Sequence, residues 1–294
     1  MIGSKLSNLR TTDIITLAYM LVTALFILIF GGFSAQFAIP ILVRFVLIGF
    51  IIFILYLSKS RDNNYIYFIH LFYPILMLTY FYGETDLLNN LVFSDNLDPY
   101  LFKWEESIFG FQPSLEFSIT FPQKWFSELL HFGYFSYYIM TFTVCLVFFL
   151  KQKLRAEKII FTVISSFFIY YLIFIIFPLV GPQFHFQTPL SDVADSGIFS
   201  RAVKLVQYYG EKPTGAFPSS HVGMALIFLY LSFKNIRWLF WFIVPLFILI
   251  MLATVYLKAH YAIDVIAGIL SAPLVYLMSS LLFKFISRKS YLPA

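Results

Sequence analysis

Two short stretches of the sequence contain residue types that could do chemistry together. GAFPSSHVG, at 215–223, places Ser219, Ser220 and His221 directly after a proline, and HYAID begins at His260 and ends at Asp264. Each stretch stands at the start of a long apolar run. On a helix, His260 and Asp264 are four residues apart and share one face. The carboxylate can therefore accept the Nδ1 proton of His260 and leave Nε2 unprotonated and nucleophilic.

The other residues of the first stretch suit work on an anion. His221 can act first as an acid and then as a base toward a leaving and an entering oxygen. The hydroxyls of Ser219 and Ser220, with the free N–H groups of a helix's first turn, form an anion cradle. The combination predicts phosphoryl transfer through a phosphohistidine. Two alternatives remain at this point: an ordinary helix start beside a buried hydrogen-bonded pair, and a metal site made by His221, His260 and Asp264.

Composition places this chemistry in a membrane. The 294 residues are 60% hydrophobic, 21% aromatic and 12% charged, whereas about 25% of a soluble domain is charged. The basic residues stand in short clusters between apolar segments, which is typical of topogenic charge and argues against a nucleic-acid partner. Since Cys145 is the only cysteine of the sequence, no disulfide within the chain is possible.

The apolar segments predict an all-α, polytopic integral membrane protein with about eight transmembrane helices. Each segment is near the length of about 20 residues that a span needs, and the first is interpreted as a retained helix. We interpret 1–294 as a single membrane domain, with N-terminal transmembrane helices in 1–82 and a catalytic core in 83–284. The eight segments are 13–31, 41–58, 65–82, 129–150, 159–178, 218–233, 238–256 and 262–283.

The positive charges predict an orientation. If the segments alternate, the basic clusters all fall on one side, which is then the cytoplasmic side together with both termini. The long loops 83–128 and 179–217 fall on the other side. His221 and His260 then lie at the non-cytoplasmic face, where a lipid headgroup lies. The clusters are Lys5 with Arg10, Lys59 with Arg61, Lys151 to Lys158, Lys234 with Arg237, and Lys284 to Lys289.

The first of these loops contains DPYLFKWEESIFG. We interpret it as a surface helix lying against the bilayer, with Trp104 and Phe109 dipping inward. Asp98, Glu105 and Glu106 are then expected on its solvated face, with contact to a polar headgroup as the alternative.

The two histidine stretches together resemble the second and third signatures of the type 2 phosphatidic acid phosphatase (PAP2) superfamily, whose general forms are PSGH and SRx5HxxxD. GAFPSSHVG and TVYLKAHYAIDVIAG are closer to its inositolphosphotransferase-like branch, the inositol phosphorylceramide synthases. DPYLFKWEESIFGFQPS, SELLHFGYFSYY and FPLVGPQF resemble that branch too. The resemblance, over roughly 80–275, implies a PAP2-like helical core in which His260 is the nucleophile and Asp264 orients it. His221 then handles the proton, and Ser219 and Ser220 contact the phosphate.

The sequence departs from the general family where cations are expected. Gln183 stands where the first signature has an arginine, and Thr254 where the third has one. Lys212 or Lys258 could replace the missing charges. A phosphomonoester carries nearly two negative charges at neutral pH and a phosphodiester only one. Fewer cations therefore favour a diester, and hence transfer of a phospholipid headgroup.

These observations predict a lipid phosphotransferase that uses no metal and no cofactor. Its substrates would be a phospholipid, with a headgroup of the inositol phosphate type, and a lipid alcohol such as ceramide. The alternative is a lipid phosphate phosphatase that hydrolyses phosphatidic acid or a related lipid phosphate. A lipid or ion transporter would also explain eight helices, but not two catalytic-type motifs at one membrane face.

Overall fold

Helices make up all the regular structure in the part of the chain that the computed structural model describes, namely residues 9–32, 34–60, 63–186 and 197–290. This confirms the predicted all-α class. In chain order the helices are α1 Thr11–Phe26, extended by a π turn Ile27–Gly31, α2 Ala38–Ser60 after a 3₁₀ turn Ala35–Phe37, α3 Asn64–Leu88, α4 Asp98–Phe109, α5 Pro113–Thr120, α6 Lys124–Lys151, α7 Lys153–Ile176, α8 Pro182–His185, α9 Ile198–Gly210, α10 Ser220–Asn235, α11 Arg237–Tyr256 and α12 Ala262–Ser290.

Seven of the described helices are long and apolar enough to cross a bilayer, which makes the chain a multi-pass membrane protein. They span Thr11–Gly31, Ala35–Ser58, Asn64–Leu88, Lys124–Lys151, Lys153–Ile176, Arg237–Tyr256 and Ala262–Arg288. The remaining predicted segment corresponds to α10, which has 16 residues and is shorter than the usual span. The prediction of about eight spans therefore agrees with the structure.

Both long loops of the prediction contain short helices. The first holds α4 and α5, each with a proline in its first turn, where the missing N–H costs no hydrogen bond. Helix α4 ends at Gly110, whose positive φ of 76° suits glycine and whose N–H donates to the carbonyl oxygen of Glu106. The second loop holds α8 and α9, and its residues 187–196 lie outside the described residues.

The described residues form two compact units. One comprises those in 1–80, 145–168 and 277–294; its buried polar centre is Asp13, which accepts hydrogen bonds from Tyr73 (3.0 Å) and from His70 Nε2 (2.7 Å). The other comprises 81–144 and 169–276 and contains every candidate site residue named above. The single-domain interpretation, with its division after residue 82, remains a prediction.

Candidate active site

The N-terminal ends of α10 and α12 are joined in the second unit. The backbone N–H of Ser219 donates to the carbonyl oxygen of Asp264 (3.0 Å). Glycine makes this approach possible, because a Cβ built on Gly268 would lie 2.6 Å from the carbonyl oxygen of Ser219. The two stretches that the sequence singled out therefore meet through their backbones.

This junction brings the two predicted catalytic histidines together. His221 Nδ1 lies 3.1 Å from His260 Nε2. On the other side of its ring, His260 Nδ1 is 2.7 Å from the carbonyl oxygen of Ala216 and 3.6 Å from Asp264 Oδ2. Asp264 was expected to accept the Nδ1 proton. The structure places the fully buried carboxylate of Asp264 beside this nitrogen and adds a shorter hydrogen bond to Ala216.

These contacts fix the protons on the two rings. A carbonyl oxygen only accepts, so His260 carries its proton on Nδ1 and presents a lone pair at Nε2. When the His260 ring is neutral, His221 donates its Nδ1–H to that lone pair. His221 Nε2 is buried and has no hydrogen-bond partner among the described residues. At rest, the nucleophilic nitrogen is therefore covered by the second histidine, which a phosphate group must displace.

Three tyrosines of α6 hold the His221 ring. Tyr134 stacks on it with a centroid distance of 5.1 Å and an interplanar angle of 20°, Tyr137 approaches to 4.2 Å, and Tyr138 meets it edge-on at 6.1 Å. None of these side chains was predicted as part of the site. Their spacing in GYFSYYIM was the available signal, because positions three and four apart share a helix face.

The two serines have different surroundings. Ser219 is the N-cap of α10, and its Oγ accepts from the N–H of Val222 at 3.4 Å. Ser220 lines a cavity of about 20 Å³ together with His221 and His260, and its hydroxyl is a hydrogen-bond neighbour of Tyr137. Of the two serines predicted to contact the phosphate, Ser220 lines the cavity. Ser219 instead caps the N-terminus of α10.

The residues discussed above as replacements for the missing family cations lie at different distances from the cavity. Gln183 and Lys212 line the same cavity. Lys258 does not line it: its side chain is buried, its φ is +61°, and its carbonyl oxygen accepts from the N–H of Gln183 (2.8 Å). Thr254 is buried too and supports the nucleophile through its backbone, since its carbonyl oxygen accepts from the N–H of His260 (3.0 Å).

An acidic side chain that the sequence analysis did not single out also lines the cavity. Glu211 Oε2 accepts from Gln183 Nε2 (2.7 Å), and its Oε1 accepts from the hydroxyls of Tyr134 (2.5 Å) and Tyr138 (2.8 Å). A glutamate between glycine and lysine in a loop carries no local signal of such a role. Gln183 therefore donates to a carboxylate at the place where the general family has a cation.

The expected solvated face of α4 is corrected by the structure. Asp98 is buried and accepts from the N–H groups of Val180 (3.0 Å) and Gly181 (2.9 Å) and from the Tyr261 hydroxyl (3.3 Å). Burial, with the charge of Asp98 next in importance, raises the pKa of Tyr261. The reason for the error is that 98 and 105 lie on one helix face, and that face packs inward.

The second buried acid of α4 supports the start of α12. Glu105 Oε1 accepts from the N–H of Ala262 at 2.5 Å. Burial, reinforced by the charge of Asp264 and opposed by this hydrogen bond, raises the pKa of Glu105 to about 7. Glu106 is exposed, as predicted. Asp98 and Glu105 therefore hold the two loops that carry Gln183 and His260.

The geometry does not converge on a metal. His221 and Asp264 face opposite nitrogens of the His260 ring, so these three side chains do not surround one point. No group of three or more His, Cys, Asp or Glu side chains in the described ranges is arranged to hold a metal ion.

Comparison with known proteins gives one result that agrees with this geometry. A family model described as PAP2 superfamily matches residues 99–278, which is more than half of the chain. The chain belongs to the PAP2 superfamily. This confirms the superfamily predicted from the two signatures, and the matched range includes Glu211, His221, His260 and Asp264. No curated protein and no solved structure gave a match. Membership of the PAP2 superfamily supports a lipid phosphatase or phosphotransferase type of activity.

Proposed function

We propose that this PAP2 protein is a membrane phosphotransferase of the inositolphosphotransferase-like branch. It moves a headgroup phosphate, of the inositol phosphate type, from a phospholipid to a lipid alcohol such as ceramide. The observation that carries the proposal is a pair of consecutive hydrogen bonds that joins Ala216 to His260 and His260 to His221. This arrangement leaves a lone pair on His260 Nε2 and places the proton donor His221 3.1 Å from it.

In the first half-reaction, His260 Nε2 attacks the phosphorus of the bound phospholipid. A P–N bond forms, and the bond from phosphorus to the diacylglycerol oxygen breaks. The anionic phosphate group favours protonation of the neighbouring His221, and His221, protonated on both ring nitrogens once the phospholipid is bound, gives a proton to that leaving oxygen. The buried carboxylate of Asp264, 3.6 Å from Nδ1, balances the positive charge that develops on His260.

In the second half-reaction, the hydroxyl of the acceptor lipid replaces diacylglycerol. His221, now neutral, takes the hydroxyl proton while the oxygen attacks phosphorus and the P–N bond breaks. His260 returns to its lone-pair form. Ser220 and the N–H groups of the first turn of α10 serve the phosphate oxygens in both steps. Neither step calls for a metal or an organic cofactor.

The charges of the cavity support a diester as the donor. Among the described lining residues, Lys212 is the one permanently cationic side chain, and Glu211 is the one acidic side chain. Gln183 and Thr254 take the places of two family arginines. A site with this balance suits a phosphodiester with one negative charge better than a phosphomonoester with nearly two.

The proposed site opens at the non-cytoplasmic face, with both termini in the cytoplasm. The basic clusters between the spans support this orientation. A phospholipid and a lipid alcohol both present their polar groups at such a surface, so both can reach a cavity at the start of α10.

The experiment is lipid mass spectrometry on purified protein in vesicles that contain ceramide and either phosphatidylinositol or phosphatidic acid. The proposal predicts inositol phosphorylceramide and diacylglycerol from the first mixture, and neither product with His260→Ala. Release of free inositol phosphate, or of inorganic phosphate from phosphatidic acid, in place of transfer would establish the hydrolase alternative.

A further inference from the structure

The cavity wall that carries the histidines also carries one negative charge. Glu211 lines this cavity with Ser220, His221, His260 and Lys212. A carboxylate beside a phosphate site works against binding an anion, because like charges repel more strongly where little water screens them. A carboxylate at this position therefore has a cost for phosphate binding that a functional role would explain.

The surroundings of Glu211 are built for a carboxylate. Its three hydrogen-bond partners, the hydroxyls of Tyr134 and Tyr138 and the amide of Gln183, all act as donors to it. Gln207 Nε2 donates to Gln183 Oε1 (3.2 Å), so the amide of Gln183 has to present its NH₂ group to Glu211. Three donors complement the ionised form of this side chain.

Tyr134 links this carboxylate directly to the reacting histidines. Its hydroxyl donates to Glu211, while its ring stacks on His221. The negative charge is thereby fixed on the wall beside the nitrogens between which phosphorus must enter. A flexible acid on a surface loop could turn away from the phosphate, but this one is held in place.

We propose that Glu211 is a specificity-determining residue that selects singly charged phosphodiesters over doubly charged phosphomonoesters. This inference rests on the proposed function. The singly charged group needs only the one cation that Lys212 supplies. The second charge of a monoester finds no further lysine or arginine among the described lining residues and is repelled by the carboxylate of Glu211. At several ångströms in a partly screened site, that repulsion is worth about tenfold or more in relative rate.

The test compares two lipids that differ by one methyl ester on the phosphate, which removes one of its two negative charges. Phosphatidic acid is a monoester, phosphatidylmethanol is a diester, and both release diacylglycerol when His260 attacks. The kcat/KM for release from each lipid, at pH 8 in the same mixed micelles with ceramide present as the acceptor, gives a diester-to-monoester ratio. The variants are Glu211→Gln, Glu211→Asp, which keeps the charge, and Glu106→Gln, which removes an exposed carboxylate on α4.

The expected result is a ratio well above one for the wild type, which falls about tenfold in Glu211→Gln and stays near the wild-type value in the other two variants. A purely structural role of Glu211 lowers both rates together, so an unchanged ratio in Glu211→Gln overturns the inference while the transferase function stands. If the wild type prefers phosphatidic acid, the inference is wrong. If it releases diacylglycerol from neither lipid nor from phosphatidylinositol in the same ceramide-containing micelles, the proposed function itself fails.

Discussion

Substitution of Gly268 by alanine tests whether the contact between α10 and α12 sets the catalytic geometry. The new Cβ would lie 2.6 Å from the carbonyl oxygen of Ser219 and 3.4 Å from the Cβ atoms of Ser219 and Val222. The closest of these neighbours is backbone, which no side-chain rotation can move. Since ordinary contacts begin near 3.4 Å, α10 has to shift by about 0.5–0.8 Å, an overpacking that costs roughly 1–3 kcal/mol.

That shift acts on the reacting atoms, because His221 belongs to the first turn of α10 and meets His260 at 3.1 Å. A displacement of about 1 Å can cost a factor of about 100 in rate, so we expect kcat to fall about tenfold. Gly83→Ala is the matched control, since nothing lies within 4 Å of a Cβ at that helical glycine.

The assay is diacylglycerol release from a phosphodiester lipid in the presence of ceramide as the acceptor. Helix content is followed by circular dichroism and the oligomeric profile by gel filtration. We expect Gly268→Ala to remain helical and to lose turnover, and Gly83→Ala to keep both. Wild-type turnover in Gly268→Ala would refute the idea that this backbone contact aligns the histidines.

Three further predictions concern other parts of the site. Asp98→Asn leaves a buried N–H without its charged acceptor, which costs about 1.5–3 kcal/mol. We expect a lower thermal unfolding midpoint for Asp98→Asn and an unchanged midpoint for Glu106→Gln. Equal midpoints in the two variants would contradict the role of Asp98. The pKa of Glu105 is raised to about 7 from a usual 4.5, so the native state binds the carboxyl proton more tightly than the unfolded state does. The stabilisation from this proton is complete below pH 4.5 and is lost as pH rises through 7. Glu105→Gln should make the thermal unfolding midpoint less dependent on pH between pH 5 and 7.5, and an unchanged pH dependence would refute the assignment. His221→Ala should lose about 10²–10⁴-fold on natural lipids and be partly rescued with a p-nitrophenyl phosphate ester, whose leaving group needs little protonation; no rescue would count against an acid role.

The reacting residues could be predicted from the sequence because their signal is local. His260 and Asp264 have helical spacing, and PSSH marks a helix start; the two motifs at one predicted face favour catalysis over an ordinary helix start. Chain alternation across a bilayer then brings two remote motifs to one face. The transmembrane helices could be predicted for a similar reason, since an apolar run of about 20 residues identifies a span without knowledge of its neighbours.

The supporting residues could not be predicted, because their roles depend on which face of a neighbouring helix packs inward. Asp98 and Glu105 read as an ordinary polar face of an amphipathic helix, yet that face is buried. The selection of Ala216 as the partner of His260 Nδ1 depends on a backbone carbonyl, for which no side-chain pattern exists. Glu211 gains its meaning only from tyrosines more than seventy positions away.

The most direct test of the account is capture of the covalent intermediate. Purified protein is mixed with a phosphodiester lipid, quenched with alkali during turnover, digested and analysed by mass spectrometry, since a phosphohistidine is stable to base and labile to acid. We expect a headgroup-phosphate adduct on the peptide that contains His260 and no adduct in His260→Ala; in His221→Ala the adduct forms more slowly and, once formed, persists longer. An adduct on His221, or turnover by His260→Ala at the wild-type rate, would contradict the assignment of the nucleophile.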